Sequence, residues 1–397
     1  MRIAILSAIA EHPGRKGSRA AFRRFVGRSV LAHQVDIAIQ LGCESIACLT
    51  GSLVPEVIAC QHRAEAAGVR FQAVDGTRRL AGMVRADHEV VVIADGLLPE
   101  RTPLVDALSQ KACVLTFPAE LAVSRGFERI DGERAWAGAL RCRGDSVEKL
   151  NELPEDADVI ASLLRIALQS QVRPEAIDPA LVTEGRWTFD EPPADLAMRE
   201  KRWIARHVQP VSFAAPGLAV AERIGLRLAR DFAGGALERA PLYLAVAAGL
   251  LAGLAAAFDK PVIGLALALV MAIAAPVGSV FERLGSAGRK TKPRFSIIEL
   301  VRIASDVLVV GLVAQSSEAQ PGWLRLFLPM MLLGLLRFGE GHGPPRWRAA
   351  YADRILLLAI LLPAAMLGPL KVFVAGLSLL TLVSLFPRPR RPRITTN

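Results

Sequence analysis

Apolar and polar residues are distributed unevenly along the chain, and the change falls near Pro241. Two apolar blocks without a charged residue follow at once, over 241–258 and 261–281. Four more lie at about 297–314, 323–338, 353–369 and 371–386. Because a helix needs roughly 20 apolar residues to cross a bilayer, this pattern predicts about six transmembrane helices.

The part before Pro241 has a different periodicity, in which short β-branched runs alternate with amphipathic helical patterns. The predicted strands are 3–8, 45–49, 69–74, 89–94 and 113–117, with helices between them and a closing helix at 153–169. Such alternation predicts a parallel sheet covered by helices on both faces. Ligands of these sheets bind beyond the carboxyl ends of the strands.

Together the two patterns divide the chain into five segments. They are an α/β domain at 1–170, a proline-rich linker at 171–216, an interfacial amphipathic helix at 217–240, a six-helix membrane domain at 241–386 and a basic tail at 387–397. The interfacial helix is expected to lie along the cytoplasmic leaflet, because apolar and charged residues take opposite sides at helical spacing.

Charge sets the expected orientation. Thirteen Lys and Arg residues flank alternate ends of the predicted spans and fill the tail, whereas the opposite connections hold only Lys260 and Lys371. By the positive-inside rule, the α/β head and both termini face the cytoplasm of a multi-pass protein of the inner or plasma membrane. Much of the net charge of +10 therefore serves anionic lipid, and nucleic acid is not an expected partner.

Two turns at the expected ligand-binding edge carry candidate chemistry. The loop after the first strand contains Gly14, Lys16, Gly17, Ser18 and Arg19, whose backbone donors and cations suit phosphate. Asp95 follows the fourth strand, and one carboxylate beside bound phosphates is a usual Mg²⁺ site. Two alternatives stay open: the basic cluster as a solvated or lipid-facing surface, and Asp95 as part of a plain turn.

A second set of ionisable residues falls in the membrane half. Glu299, Arg302 and Asp306 share one face of the third predicted span, and Glu282 precedes them near the end of the second. Ionisable groups within spans usually face the bundle interior or a wet cavity and mark function. The alternative is a self-neutralised cluster that only fixes helix packing.

The head resembles the sugar-phosphate nucleotidyltransferases. The resemblance rests on Gly17-Ser-Arg19, on the run FVGRSVLAHQVD at 25–36, and on IADGLLP at 93–99. It implies that Gly14, Lys16, Gly17 and Ser18 hold the nucleotide and that Arg19, Arg23 and Asp95 are catalytic, with Mg²⁺ on Asp95. Arg23 stands near the place of a lysine that the family carries before its GR helix.

The whole chain resembles bifunctional proteins that join an inositol-1-phosphate cytidylyltransferase to a CDP-alcohol phosphatidyltransferase, although the signature of the latter is absent. This implies an α/β Rossmann-like nucleotidyltransferase head on an all-α polytopic membrane domain. The expected partners are CTP or a related triphosphate, a phosphorylated sugar or polyol, and membrane lipid, with a homodimer through the membrane domain left open. The alternatives are a catalytically inactive scaffold or regulator and a transporter with a sensing head.

Overall fold

A computed structural model describes residues 1–11, 18–154, 157–189, 193–207, 213–232, 239–286, 297–316, 322–368 and 370–386. The described residues form two compact units, one ending at His207 and one taking those from Phe213 onward. Each unit has its own apolar core.

A seven-stranded sheet forms the centre of the first unit, in the order β5-β4-β1-β6-β8-β7-β9. Strands β1, β4, β5, β6 and β7 confirm the five predicted strands, and β2 and β3 form a separate two-stranded hairpin. The bounds are β1 Arg2–Ser7, β2 Arg24–Phe25, β3 Arg28–Ser29, β4 Ser45–Leu49, β5 Arg70–Val74, β6 Glu89–Ile93, β7 Cys113–Pro118, β8 Arg134–Arg143 and β9 Pro174–Ala176.

The sheet is mixed rather than parallel, which corrects the sequence prediction. Strands β5, β4, β1 and β6 run parallel, but β8 lies antiparallel between β6 and β7. Eight consecutive residues of β8 are buried, so its sequence lacks the apolar-polar alternation by which a half-exposed strand is recognised.

Helices cover the sheet of the first unit at or near the predicted places. The closing helix α7 begins later than predicted because the Asp158 side chain caps it, accepting from the backbone N–H groups of Ile160 and Ala161. The bounds are α1 Val30–Gln40, α2 Pro55–Ala66, α3 Thr77–Met83, α4 Arg101–Gln110, α5 Ala119–Ala122, α6 Asp145–Glu148, α7 Val159–Gln169, α8 Ala180–Thr183 and α9 Pro193–His207.

Residues 171–207 belong to the first unit, where the sequence predicted a linker over 171–216. Strand β9 extends the sheet beside β7. Trp187 is fully buried in the core, and its Nε1 donates to the Ala137 carbonyl at 2.8 Å. Pro174 lies in β9, Pro179 precedes α8 and Pro193 begins α9.

The second unit is entirely helical among its described residues. Apolar helices occupy all six places where spans were predicted, preceded by the amphipathic helix α10. The bounds are α10 Pro216–Phe232, α11 Ala240–Ala257, α12 Pro261–Ser286, α13 Ile297–Gln315, α14 Gly322–His342, α15 Arg348–Ala352, α16 Arg354–Leu367 and α17 Leu370–Leu385.

Three helices of the described chain, not six, are long and apolar enough to cross a membrane: Ala240–Ala257, Pro261–Leu284 and Gly322–His342. The prediction of six is wrong for two physical reasons. Helices α16 and α17 have 14 and 16 residues, which is short of the roughly 20 that a span needs. Helix α13 has 19 residues but carries three charged side chains.

Replacing Trp187 tests whether the segment that was predicted to be a linker stabilises the first unit. Trp187→Ala removes a core indole and a buried hydrogen bond, so we expect the free energy of unfolding of this unit to fall by about 3–5 kcal/mol. All five cysteines are buried in the first unit, so thiol labelling against urea measures its unfolding in the full chain. Leu53→Ala, at a side chain 66% exposed, is the control and should change little; equal effects would contradict the assignment.

Candidate active site

A cavity of about 660 Å³ opens at the carboxyl edge of the parallel strands in the first unit. Its floor is formed by the residues that end or follow β1, β4, β5 and β6, as the rule for such sheets predicts. Its walls are formed by β8, by the segment before β8 and by the start of α7. The lining includes Ser7, Thr50, Gly51, Asp75, Gly76, Asp95, Glu128, Trp136, Asp158 and Phe189.

Asp95 holds the chain that leaves β1. Its Oδ2 accepts three hydrogen bonds, from the Ser7 hydroxyl at 3.0 Å and from the backbone N–H groups of Ile9 at 2.7 Å and Ala10 at 2.8 Å. Hydrogen bonds from several donors to one carboxylate oxygen fix the donors' geometry. The carboxylate of β6 thus sets the course of the loop after β1.

The other oxygen of Asp95 has a different environment. Oδ1 is buried and has no hydrogen-bond partner within the described structure, and Asp95 lines the cavity. Burial raises the pKa of this carboxyl above its ordinary value, against the opposing effect of hydrogen bonds from Ala10, Ser7, Ile9 and Gly96. The two oxygens of Asp95 therefore have different environments, and only Oδ2 holds the segment after β1.

The base of the loop that follows β1 lies beside Asp95. Glu11 and Arg19 pair as an isolated antiparallel bridge, and the guanidinium of Arg19 donates to the Ala8 carbonyl at 3.0 Å and to Thr50 Oγ1 at 3.2 Å. Ser18 is half-buried at this base. The predicted nucleotide-binding residues Gly14, Lys16 and Gly17 lie outside the described residues.

The turn at Asp95 is also held from the opposite side. Gly96 has φ +69°, and a side chain there would come within 2.7 Å of the Ala20 Cβ. Arg23, predicted to be catalytic, donates through Nη2 to the Gly96 carbonyl at 3.1 Å. Gln34, fully buried on α1, donates to the carbonyls of Ala94 and Leu97 at 2.9 and 2.8 Å. Arg23 and Gln34 therefore position the Asp95 turn.

The charged residues that line the described part of the cavity are all acidic: Asp75, Asp95, Glu128 and Asp158. Burial, followed by the nearby charge of Asp158, raises the pKa of Glu128. Trp136 supplies an apolar wall and is itself buried. An anionic ligand in this cavity needs cations to offset the acidic lining.

Sequence reasoning singled out two of the four turns that reach this edge. Ser7, Thr50 and Asp75 were missed, although each ends or follows a strand that had been predicted. The rule that pointed to Asp95 applies equally to the ends of β1, β4 and β5 and would have found them. Asp158 gave no such signal, because an acid before a helix usually reports only a cap.

The polar residues of the second unit form an ion-pair cluster. Asp306 binds two guanidinium groups: Arg354 Nε lies 2.6 Å from Oδ1, and Arg337 Nε lies 2.8 Å from Oδ2. Glu340 binds Arg354 Nη2 at 2.9 Å and Arg302 Nη1 at 3.1 Å. Helices α13, α14 and α16 are joined through these contacts.

This cluster includes only part of the predicted polar site. Arg302 and Asp306 take part, whereas Glu299 lies at its edge, 4.0 Å from Arg302 and 60% exposed. Glu282 is exposed near the end of α12. Both oxygens of Asp306 bind guanidinium groups of other helices, so these contacts join α13 to α14 and α16.

No protein-family model matches the chain, and no curated protein matches it. Among solved structures, the chain is similar to the inositol-1-phosphate CTP transferase from T. maritima, with a TM-score of 0.37 and 14% sequence identity. The match covers 51% of this chain and 96% of that structure.

The raised pKa of Asp95 has a consequence for stability against pH. A group with a higher pKa in the folded state contributes stability that is present below its unfolded pKa, about 4, and is lost as pH rises through the folded pKa. Asp95→Asn removes this titration, so we expect a flatter stability profile above about pH 4 than in the wild type. Urea unfolding followed with a thiol reagent that reacts in acid measures it; identical profiles would contradict the environment described for Asp95.

Removing Arg354 tests the cluster of the second unit. Its side chain is 5% exposed, and Arg354→Met leaves Asp306 and Glu340 each short of a cation, so we expect a loss of about 3–5 kcal/mol. Arg302→Met, at a side chain 32% exposed, is the control and should cost about 1 kcal/mol. Helix circular dichroism of the full chain in detergent, against temperature, measures both. Equal losses would show that Asp306 does not depend on Arg354.

Proposed function

We propose that the first unit is a nucleotidyltransferase domain that activates a phosphorylated sugar or polyol with CTP or a related triphosphate. The observation that carries the proposal is the carboxylate of Asp95, which lines the cavity: Oδ2 holds the segment after β1, and Oδ1 is buried without a partner among the described residues. The motifs at 17–19, 25–36 and 93–99 support the same class of reaction.

The residues of the cavity fit a magnesium ion. No group of three or more metal-ligating side chains occurs among the described residues, but Mg²⁺ is usually held by one or two carboxylates plus substrate phosphates. Asp95 Oδ1 would be such a ligand. When bound, Mg²⁺ neutralises phosphate charge, which the acidic lining otherwise repels.

In the reaction we propose, an oxygen of the acceptor phosphate attacks the α-phosphorus of the triphosphate. The bond from the α-phosphorus to the bridging oxygen breaks, and pyrophosphate leaves with that oxygen. Little covalent chemistry falls to the protein, so positioning and electrostatics carry the rate. Arg19 and Arg23, already tied to the base of the loop and to the Asp95 turn, keep these segments in place, while Gly17, Ser18 and Lys16 brace the phosphates.

The second unit would anchor this domain in a membrane. Three helices are long and apolar enough to span one, and the Lys and Arg residues near their ends favour the cytoplasmic side for the head. A transferase at that surface would deliver its activated product to a lipid or polyol acceptor beside the bilayer.

One observation favours a second candidate, a domain that binds a nucleotide or partner without transferring it. The described lining offers four carboxylates and no Lys or Arg, and one oxygen of Asp95 already serves the loop. A relative that kept the fold but lost the chemistry would share these features. Thermal shift with CTP and Mg²⁺ measures binding, and pyrophosphate release measures transfer.

Asp95→Asn separates the structural role of this residue from its proposed ligand role. The amide oxygen still accepts from Ser7, Ile9 and Ala10, but the negative charge is gone. We expect pyrophosphate release, assayed with each of the four triphosphates and a panel of phosphorylated polyols and sugars, to fall by about 10²-fold or more. Folding should persist.

Asp131→Asn is the matched control, because Asp131 pairs with Arg134 and is not part of the described cavity lining. We expect it to leave release unchanged. Full activity in Asp95→Asn would remove Asp95 from the mechanism. A wild-type protein that binds CTP yet releases no pyrophosphate with any acceptor would favour the second candidate.

A further inference from the structure

Helix α10 has one face packed tightly within the second unit. Ala221, Gly225 and Ala229 repeat every four residues and are all buried. A side chain added at Gly225 would meet Val280 at 3.0 Å and the backbone of Val277 at 3.3 Å. Small residues at this spacing let two helices approach closely, so α10 is seated on α12.

The start of α10 is fixed as well. Asp353 Oδ2 accepts from the backbone N–H groups of Gly217 at 2.8 Å and Leu218 at 3.3 Å. Its Oδ1 accepts from Leu356 N at 3.0 Å at the start of α16. One carboxylate thus caps two helix N-termini, where negative charge is favourable, and holds α10 in one orientation.

A different face of α10 is exposed within the described structure, where Arg223 lies over the ring of the exposed Phe213. Val220, Ile224 and Leu228, again four residues apart, are 52%, 40% and 36% exposed. Arg223 and Arg227 are also exposed and form an adjacent stripe by the helical period. The exposed surface of α10 therefore joins an apolar stripe to a cationic stripe.

Acidic charge is kept away from that surface. Between Gly217 and Ala229 the only acid is Glu222. Its side chain is 9% exposed and lies 3.6 Å from Arg283 of α12. Over this stretch the exposed face carries positive charge alone, which gives it complementarity to an anionic surface.

The position of α10 relative to α12 identifies that surface. Val277 and Val280, which α10 contacts, lie in the last part of the candidate span Pro261–Leu284. The end of a span lies at the boundary between acyl chains and headgroups. A helix seated at that level presents its exposed face to the interface.

We infer that the exposed face of α10 binds the anionic headgroup layer of the bilayer that α12 would cross. Val220, Ile224 and Leu228 enter the acyl boundary, and Arg223 and Arg227 contact lipid phosphates. The inference does not depend on the proposed transferase activity. It assigns the anionic-lipid contact to two arginines.

A fluorescent label at position 224 tests this inference in the full chain. Because the native cysteines are buried, Ile224→Cys can be labelled selectively, with Glu65→Cys on the first unit as the exposed control. The labelled proteins are placed in nanodiscs at one chain per disc, of phosphatidylcholine with or without phosphatidylglycerol. Quenching by iodide measures exposure to water, and quenching by a shallow spin-labelled lipid measures contact with lipid.

We expect the label at 224 to be protected from iodide and quenched by lipid, and the label at 65 to behave oppositely. Protection at 224 should be about twofold or more stronger in anionic discs. Arg223→Glu with Arg227→Glu should abolish that gain, because the new acids repel anionic headgroups. Arg70→Glu with Lys149→Glu, exposed on the first unit, changes net charge equally and should leave it intact.

Three outcomes would overturn the inference. Free access of iodide to position 224 would place the face in water. Equal protection in neutral and anionic discs would remove the role of the two arginines. Protection that arises only with two chains per disc would mean that a second copy covers this face. If the charge reversals fail to fold, Ile224→Cys in the otherwise native chain still decides between water and lipid.

Discussion

A single carboxylate oxygen organises the candidate site. Oδ2 of Asp95 accepts from the Ser7 hydroxyl and from two backbone N–H groups of the segment after β1. Without it, the segment after β1 would lose three hydrogen bonds to the turn that follows β6. The start of the loop after β1 and the end of β6 are therefore joined at the floor of the cavity.

Three acidic side chains of the second unit likewise have specific partners, which are either helix N-termini or guanidinium groups. Asp353 meets the N-termini of α10 and α16, Asp306 meets two guanidinium groups, and Glu222 meets Arg283. Buried charge is tolerated only with such partners. Asp353 caps α10, and the next residue, Arg354, belongs to the ion-pair cluster. These two adjacent residues therefore link the start of α10 to the cluster.

The strands β1, β4 and β6 were predictable because each is a short, continuous apolar run between turns. β8 and Trp187 were not, since Gly138 and Arg141 interrupt the apolar residues of β8 and the proline-rich segment gives no sign of the core that it completes. Asp306 could be singled out from its own helix, but its partners Arg337 and Arg354 lie on two others. Such pairing is set by tertiary packing, which local sequence does not contain.

Asp95 can hold the segment after β1 and still bind a ligand, because its two oxygens lie in different environments. The hydrogen bonds from Ser7, Ile9 and Ala10 all go to Oδ2, whereas Oδ1 is buried without a partner among the described residues. A buried carboxylate oxygen in that state is stabilised by a proton or by a cation. The raised pKa of Asp95 reflects this burial, because removing a carboxylate from water favours its protonated form.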